Sequence, residues 1–127
     1  MGSLYFKNWI VAKSLLEHIE GSTLLILERT NCITSSNDFI NTPAGMEKLD
    51  AVCMQLIVIG EAVGKLDKIT GGDLLTLEPG IPWASIKAVR NFIAHDYFDV
   101  DPEEIFHIIT HDLTPMLEAV GRLKSFL

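Results

Sequence analysis

The stretch "GMEKLDAVCMQLIVIGEAVGKLDK", residues 45–68, decides the fold class. Met46, Leu49, Val52, Cys53, Leu56, Ile57, Ile59, Ala62, Val63 and Leu66 recur at three- and four-residue steps, the period of an α-helix. Their apolar face is wide enough for the helix to lie centrally in a bundle, with Gln55 and Glu61 as its polar exceptions. Nowhere does the chain alternate apolar and polar residues with period two for long enough to make a sheet. The fold class is therefore read as all-α.

Upstream, the spacing predicts one helix from Leu4 to about Thr30. Tyr5, Trp9, Ala12, Leu16 and Ile19 form its buried stripe, with Lys7, Lys13, Glu17 and Glu20 between them. Gly21 and Ser22 mark a place where it could bend. The run "TNCITSSNDFINTPAG" (30–45) carries loop chemistry. Downstream, "ITGGDLLTLEPG" (69–80) breaks the central helix with paired glycines and has room for a short helical turn. A third helix is predicted to begin at Pro82, whose missing N–H costs nothing in a first turn. Trp83, Ile86, Val89 and Ile93 give it a core stripe. A fourth starts after Asp101, a good N-cap, with Pro102, Glu103 and Glu104 in the first turn. Pro115 either kinks that helix or opens a fifth.

At 127 residues the chain suits one domain, residues 1–127, with 48% hydrophobic and 21% charged residues. Ten Lys and Arg against 17 Asp and Glu leave a net charge of -7. That argues against a nonspecific DNA or membrane coat, which needs a broad basic surface. It leaves room for RNA chemistry in a locally basic cleft. Cys32 and Cys53 form neither a CxxC pair nor a disulfide framework, so reduced thiols in a cytoplasmic protein are expected. The longest apolar run, "LIVIG" (56–60), is far short of a membrane span. Gly2 lacks the Ser or Thr of a myristoylation signal, since Phe6 stands in its place.

The densest polar cluster lies in "IPWASIKAVRNFIAHDYFDVD" (81–101), where Arg90, Asn91, His95, Asp96 and Tyr97 fall within eight positions. On a helix, Asn91 and His95 share a face one turn apart. Arg90 lies roughly 140° round the axis from His95, at about 100° per residue. These groups suit metal-independent cleavage of an RNA phosphodiester. Histidine can take a proton from a 2′-hydroxyl or give one to the leaving oxygen. Arginine offers a fixed fork of donors to phosphate oxygens. Asn91 could orient the imidazole or bind a ribose, and Tyr97 could stack on a base or donate to phosphate. The spacing alone also fits a decorated helix end, with Arg90 paired to Asp96 or capping carbonyls. A single histidine is half of an acid–base pair, which two protomers would complete.

Other groups carry two readings each. Glu61 is either an edge residue of the apolar face or a carboxylate that holds Arg90 or His95. Glu103, His107 and His111 fall at four-residue steps and could grip Zn²⁺ or Ni²⁺. Without a matching Cys pair or an HExxH context, a solvated face is the preferred reading, and neither a metal nor a cofactor is expected. Lys87 either adds positive potential for a phosphate or is an ordinary surface lysine. Trp9 and Trp83 read as packing residues, and Phe92 and Phe98 as members of a dimer interface or of the core.

At these residues the chain resembles the HepT-like branch of the HEPN domains. That family's R-N-x-x-x-H-x-Y motif is matched by Arg90-Asn91 through His95-Asp96-Tyr97. "IPW" before it, "YFDVD" after it, "IITHDLTPMLE" (108–118) and "VIGEAVGKL" (58–66) resemble the family's usual sequence, from roughly Leu4 to Leu123. The resemblance implies an up-and-down bundle of four to five helices that forms a homodimer with the motif near its interface. It implies a metal-independent endoribonuclease, the toxin of a type VII toxin–antitoxin pair, with Arg90 and His95 catalytic and Asn91 in support. The implied partner is a minimal nucleotidyltransferase antitoxin that silences the toxin by AMPylation of the motif tyrosine, here Tyr97. Two positions depart from the usual pattern. Gln55 stands where relatives often have Asn, and Asp96 where many have Gly, adding negative charge beside a site meant for RNA. HEPN domains also include noncatalytic nucleotide- or partner-binding modules, which is the competing expectation.

Overall fold

In a computed structural model that describes residues 8–127, the first rod, α1 (Trp9–Arg29), runs unbroken through Gly21 and Ser22. The predicted start at Leu4, with Tyr5 and Lys7, lies outside the described residues. The glycine and serine do not interrupt it, because the stripe continues across them. Ile19 and Ile26 are fully buried, and the Thr23 hydroxyl between them donates to the Ile19 carbonyl at 2.7 Å. Ala12 and Leu16 are buried as predicted, but Trp9 in the first turn is 38% exposed and does not serve as a core residue.

The central helix, α2 (Pro43–Ile69), starts two residues before the predicted Gly45. Thr42 caps it by accepting the Gly45 N–H at 3.0 Å, and Pro43 occupies the position where no N–H is needed. Before it, Asp38 holds a 3₁₀ turn (Ser36–Phe39) that buries Phe39 against the bundle. At the other end Gly71 and Gly72 adopt φ of 63° and 80°, the left-handed region that suits glycine. Their N–H groups return to Lys68 and Asp67 at 3.3 and 2.8 Å, a Schellman closure of the helix. The short turn expected in this linker is Leu75–Leu77.

Pro82 caps α3 (Trp83–Asp96) from just outside, so the helix begins one position later than predicted. Its ψ of 67° is not helical, and the Trp83 N–H closes back on Ile81 at 2.8 Å. A 3₁₀ turn, Tyr97–Asp99, follows directly. Asp101 caps α4 (Pro102–His107), accepting the Glu103 N–H at 2.9 Å. The chain then widens into a π-turn, Ile108–Asp112, and continues as α5 (Leu113–Phe126) through Pro115. Proline has no N–H for the His111 carbonyl four residues back and crowds it. The wider turn accommodates that defect without breaking the rod.

These rods pack as an all-α, up-and-down bundle with α2 in the middle. The Asn8 side chain donates to the Ile69 carbonyl and Lys48 to the Arg29 carbonyl, so α1 and α2 run antiparallel. Lys124 on α5 reaches Glu20 on α1 at 3.0 Å, which closes the bundle. Leu16, Ile19, Val63, Leu66, Met116 and Val120 are fully buried at its centre. At roughly 1.5–3 kcal/mol for each large apolar side chain, this burial supplies most of what holds the rods together. No strand occurs among the described residues, and none of their helices is long and apolar enough to cross a membrane.

Candidate active site

The contact between α2 and α3 is a heptad-like seam, with Trp83, Ile86, Arg90, Ile93 and Tyr97 at alternating three- and four-residue steps. Two of those five positions are polar, and α2 answers both. Arg90 Nη2 donates to Glu61 Oε1 at 3.0 Å, and the Tyr97 hydroxyl donates to the Asp50 carboxylate. A third pair, Lys87 Nζ to Asp67 Oδ2 at 3.1 Å, continues the line. From Asp50 to Glu61 to Asp67 the partners ascend α2 while they descend α3, as antiparallel helices require.

Arg90 reaches Glu61 by passing over Gly60. A Cβ at residue 60 would overlap the Cβ of Arg90, lie 2.8 Å from its Cγ and 3.3 Å from the Ile86 carbonyl oxygen. Glycine therefore lets the two backbones approach at the point where the arginine must leave the seam. The guanidinium is then held from two sides, because Nη1 donates to Asn91 Oδ1 at 3.1 Å. Its Nε is the one buried side-chain donor without a partner among the described residues. An unsatisfied buried donor leaves the arm less firmly locked than its ion pair implies.

His95 sits on the outer face of α3 in its last turn, exposed and without a hydrogen bond to the described residues. Asn91, one turn before it, turns its oxygen to Arg90 and not to the imidazole. Arg90 does not pair with Asp96, the bland alternative raised by the sequence, because Glu61 takes that place. Asp96 instead lies against Asp99. Hydrogen bonding to that second carboxyl, then partial desolvation and repulsion, hold its pKa above the usual carboxylate value.

Tyr97 folds back over an apolar hollow formed with Cys53, Met54, Ile57, Ile93 and Ala94. Its ring is still 44% exposed. Burial of the hydroxyl, the bond to Asp50 and the nearby Cys53 and Asp50 charges push its pKa up from the ordinary tyrosine value. Burial likewise pushes the Cys53 thiol up to about 12, with help from Asp50. That sulfur is a packing group, not a nucleophile. Beside the site, Phe92 is 46%, Met54 58% and Phe98 97% exposed, so neither phenylalanine belongs to the core.

Sequence reasoning missed Asp50 and Gly60. A signal for Asp50 existed: residues 11 apart on a helix differ by only about 20° round the axis, which puts Asp50 and Glu61 on one stripe. The other histidines lie elsewhere. His107 and His111 stack at 4.2 Å between ring centroids and 15° between planes, with Thr110 Oγ1 2.8 Å from His111 Nδ1. Among the described residues no three His, Cys, Asp or Glu side chains group to hold a metal.

Comparison with known proteins bears on this geometry. The family described as "Ribonuclease HepT-like" matches residues 19–123. The chain is also 32% identical over 103 residues to a protein of Caldanaerobacter subterraneus subsp. tengcongensis that bears the name "Putative RNase". That match covers 81% of this chain and 84% of the relative. No solved structure matches.

Proposed function

The chain belongs to the ribonuclease HepT-like family, and from that premise we propose that it is a metal-independent endoribonuclease that acts as a toxin. The observation that carries the reading is the exit of Arg90 from the α2–α3 seam, clamped by Glu61 and Asn91, with an exposed His95 one helical turn beyond Asn91. In this reading the guanidinium receives the scissile phosphate and the charge that builds on it. His95 moves the proton, as base toward the 2′-hydroxyl or acid toward the leaving oxygen. Glu61 and Asn91 position Arg90, and Asp96 adds a negative charge that weakens the hold on RNA at the helix end.

One imidazole performs one of those transfers. A homodimer that brings two α3 ends together supplies the second, and the exposed Phe92, Met54 and Phe98 are the apolar surface such a partner would cover. Tyr97 is the proposed acceptor of AMP from a minimal nucleotidyltransferase antitoxin. The added phosphate and nucleoside would bring negative charge and bulk beside a site that must admit RNA. The whole chain, residues 1–127, would act as one HEPN-type unit in the cytoplasm.

The test is cleavage of RNA by the purified protein in chelator, beside a His95→Ala variant, with intact mass confirming that Tyr97 is unmodified. Cleavage that disappears with His95 is the expected result. Equal background from both proteins, with Tyr97 unmodified, would refute the catalytic reading and favour a noncatalytic nucleotide- or partner-binding module.

A further inference from the structure

Beyond Arg90 the seam opens into a groove lined by Gly64, Lys65, Lys68, Lys87, Arg90 and Asn91. Four of the chain's ten Lys and Arg residues meet there, on a protein whose net charge is -7. Glu61 is the one carboxylate in the lining, and Arg90 already takes it. Lys87 is held by Asp67 at 3.1 Å. Lys65 and Lys68 are exposed and have no carboxylate partner among the described residues. The groove is thus a basic strip on an acidic molecule.

Its floor has a second unexplained feature. Gly60 is needed for the passage of Arg90, but a Cβ at Gly64 would meet nothing within 4 Å. A glycine inside a helix costs about 1 kcal/mol relative to alanine. No packing neighbour accounts for Gly64, and its effect is to leave α2 bare between Lys65, Lys68 and Lys87. From Glu61 to Lys68 the helix rises about 10 Å, at about 1.5 Å per residue, which exceeds the footprint of one phosphate group.

We infer that this groove is the track for the sugar–phosphate backbone of single-stranded RNA next to the scissile phosphate, with Lys65 and Lys68 as its phosphate contacts. The inference rests on the ribonuclease reading above and extends it. The groove begins at Arg90 and Asn91 and leads away from His95 toward the start of α3, so a strand engaged at the motif runs on into it. A trough between two packed helices fits one strand. No aromatic side chain lines it, so no base stacks there and the contacts are blind to sequence. The lysines therefore contribute affinity and register, and leave any base preference to residues nearer Tyr97.

The experiment measures binding of a short single-stranded oligoribonucleotide to the His95→Ala protein over a range of salt concentrations, with and without Lys65→Gln and Lys68→Gln together. Both lysines are exposed, and an unchanged far-UV melting curve confirms that the variant folds. The double variant is expected to bind about ten-fold more weakly, with a salt slope smaller by about 1.4, at about 0.7 for each single-strand phosphate that a lysine no longer neutralises. The weakening is expected to be the same for unrelated sequences. Unchanged affinity and slope would overturn the track, as would a weakening confined to one sequence or to duplex RNA. Absence of RNA binding by the His95→Ala protein itself would also overturn it. The catalytic reading is judged separately, by cleavage with His95 present. A failed groove with cleavage that depends on His95 leaves that reading standing, and a confirmed groove with cleavage indifferent to His95 does the reverse.

Discussion

Two glycines one turn apart on α2 should respond to the same substitution with opposite signs. At Gly64 the added methyl meets open space, so Gly64→Ala gains the helix-propensity difference of about 0.5–1 kcal/mol. At Gly60 the same gain is set against a carbon placed 2.8 Å from Arg90 Cγ and inside the radius of its Cβ, where carbon atoms prefer about 3.5–4.0 Å. The Arg90 Cβ is fixed to the α3 backbone, so α2 and α3 must separate. Overpacking of that kind costs about 1–3 kcal/mol. We expect a net loss of about 1–2 kcal/mol for Gly60→Ala. For 127 residues the unfolding entropy near the midpoint is about 0.27 kcal/mol/K, so each kcal/mol moves Tm by about 4 °C. Gly64→Ala should thus melt about 2–4 °C above the parent and Gly60→Ala about 4–8 °C below it. The assay is thermal unfolding by circular dichroism at one fixed protomer concentration, since association would shift both values. Gly60→Ala should also reduce RNA cleavage, because separation of the helices withdraws Glu61 from Arg90. A Gly60→Ala protein as stable as Gly64→Ala would show that the close approach at Arg90 does not exist in solution.

Glu61→Gln should leave Tm within about 4 °C of the parent, since partly exposed ion pairs are worth about 0–1 kcal/mol, while RNA cleavage falls at least about ten-fold as Arg90 loses its charged anchor. Equal cleavage by the two proteins would remove Glu61 from the site. The Asp96–Asp99 contact sets a pH dependence. A carboxyl whose folded pKa is raised contributes stability below its unfolded value, and loses it as pH rises through the folded one. Asp99→Asn should therefore raise Tm at pH 7, with the gain shrinking toward zero below about pH 4, the ordinary aspartate range. A gain that is equal at both pH values would show that charge is not the cause. Asp101→Ala should lower Tm by about 4 °C through loss of the cap on Glu103, a change of about 1 kcal/mol, and a melting curve like the parent's would mean that α4 is closed by other means.

The fold was legible because its signals are local. The period of residues 45–68, the loop chemistry at 30–45, the glycine pair at 71–72 and the Asp101–Pro102 cap each act within a few positions, and each marks an element that exists, although α2 already begins at Pro43 within that loop stretch. The departures have local causes as well. Thr42 and Pro43 start α2 early, and the buried stripe runs on through Ile19 and Ile26, so Gly21 and Ser22 do not interrupt α1. How Pro115 would be absorbed depended on the rod's packing, and the outcome was a π-turn.

The site was legible in its parts but not in its arrangement, for a reason that lies in helix register. Arg90 and His95 read as one cluster because they are near in sequence, yet Arg90 falls between Ile86 and Ile93 on the inward stripe and His95 on the outward face. An arginine in such a stripe can leave the seam only where the facing helix offers a gap and a carboxylate together. Gly60 and Glu61 are that combination, and their alignment with Arg90 depends on the 69–82 linker, which no periodicity reveals. The consequence for the chemistry is specific. In the proposed reaction a phosphate would reach Arg90 over the shoulder of α3, on the side where α2 is bare at Gly64 and lined with Lys65 and Lys68. The α2–α3 seam thus fixes how far the guanidinium can travel and, on the proposed reading, the direction from which a strand would enter. For that reason a single methyl group at residue 60 is expected to affect stability and cleavage together.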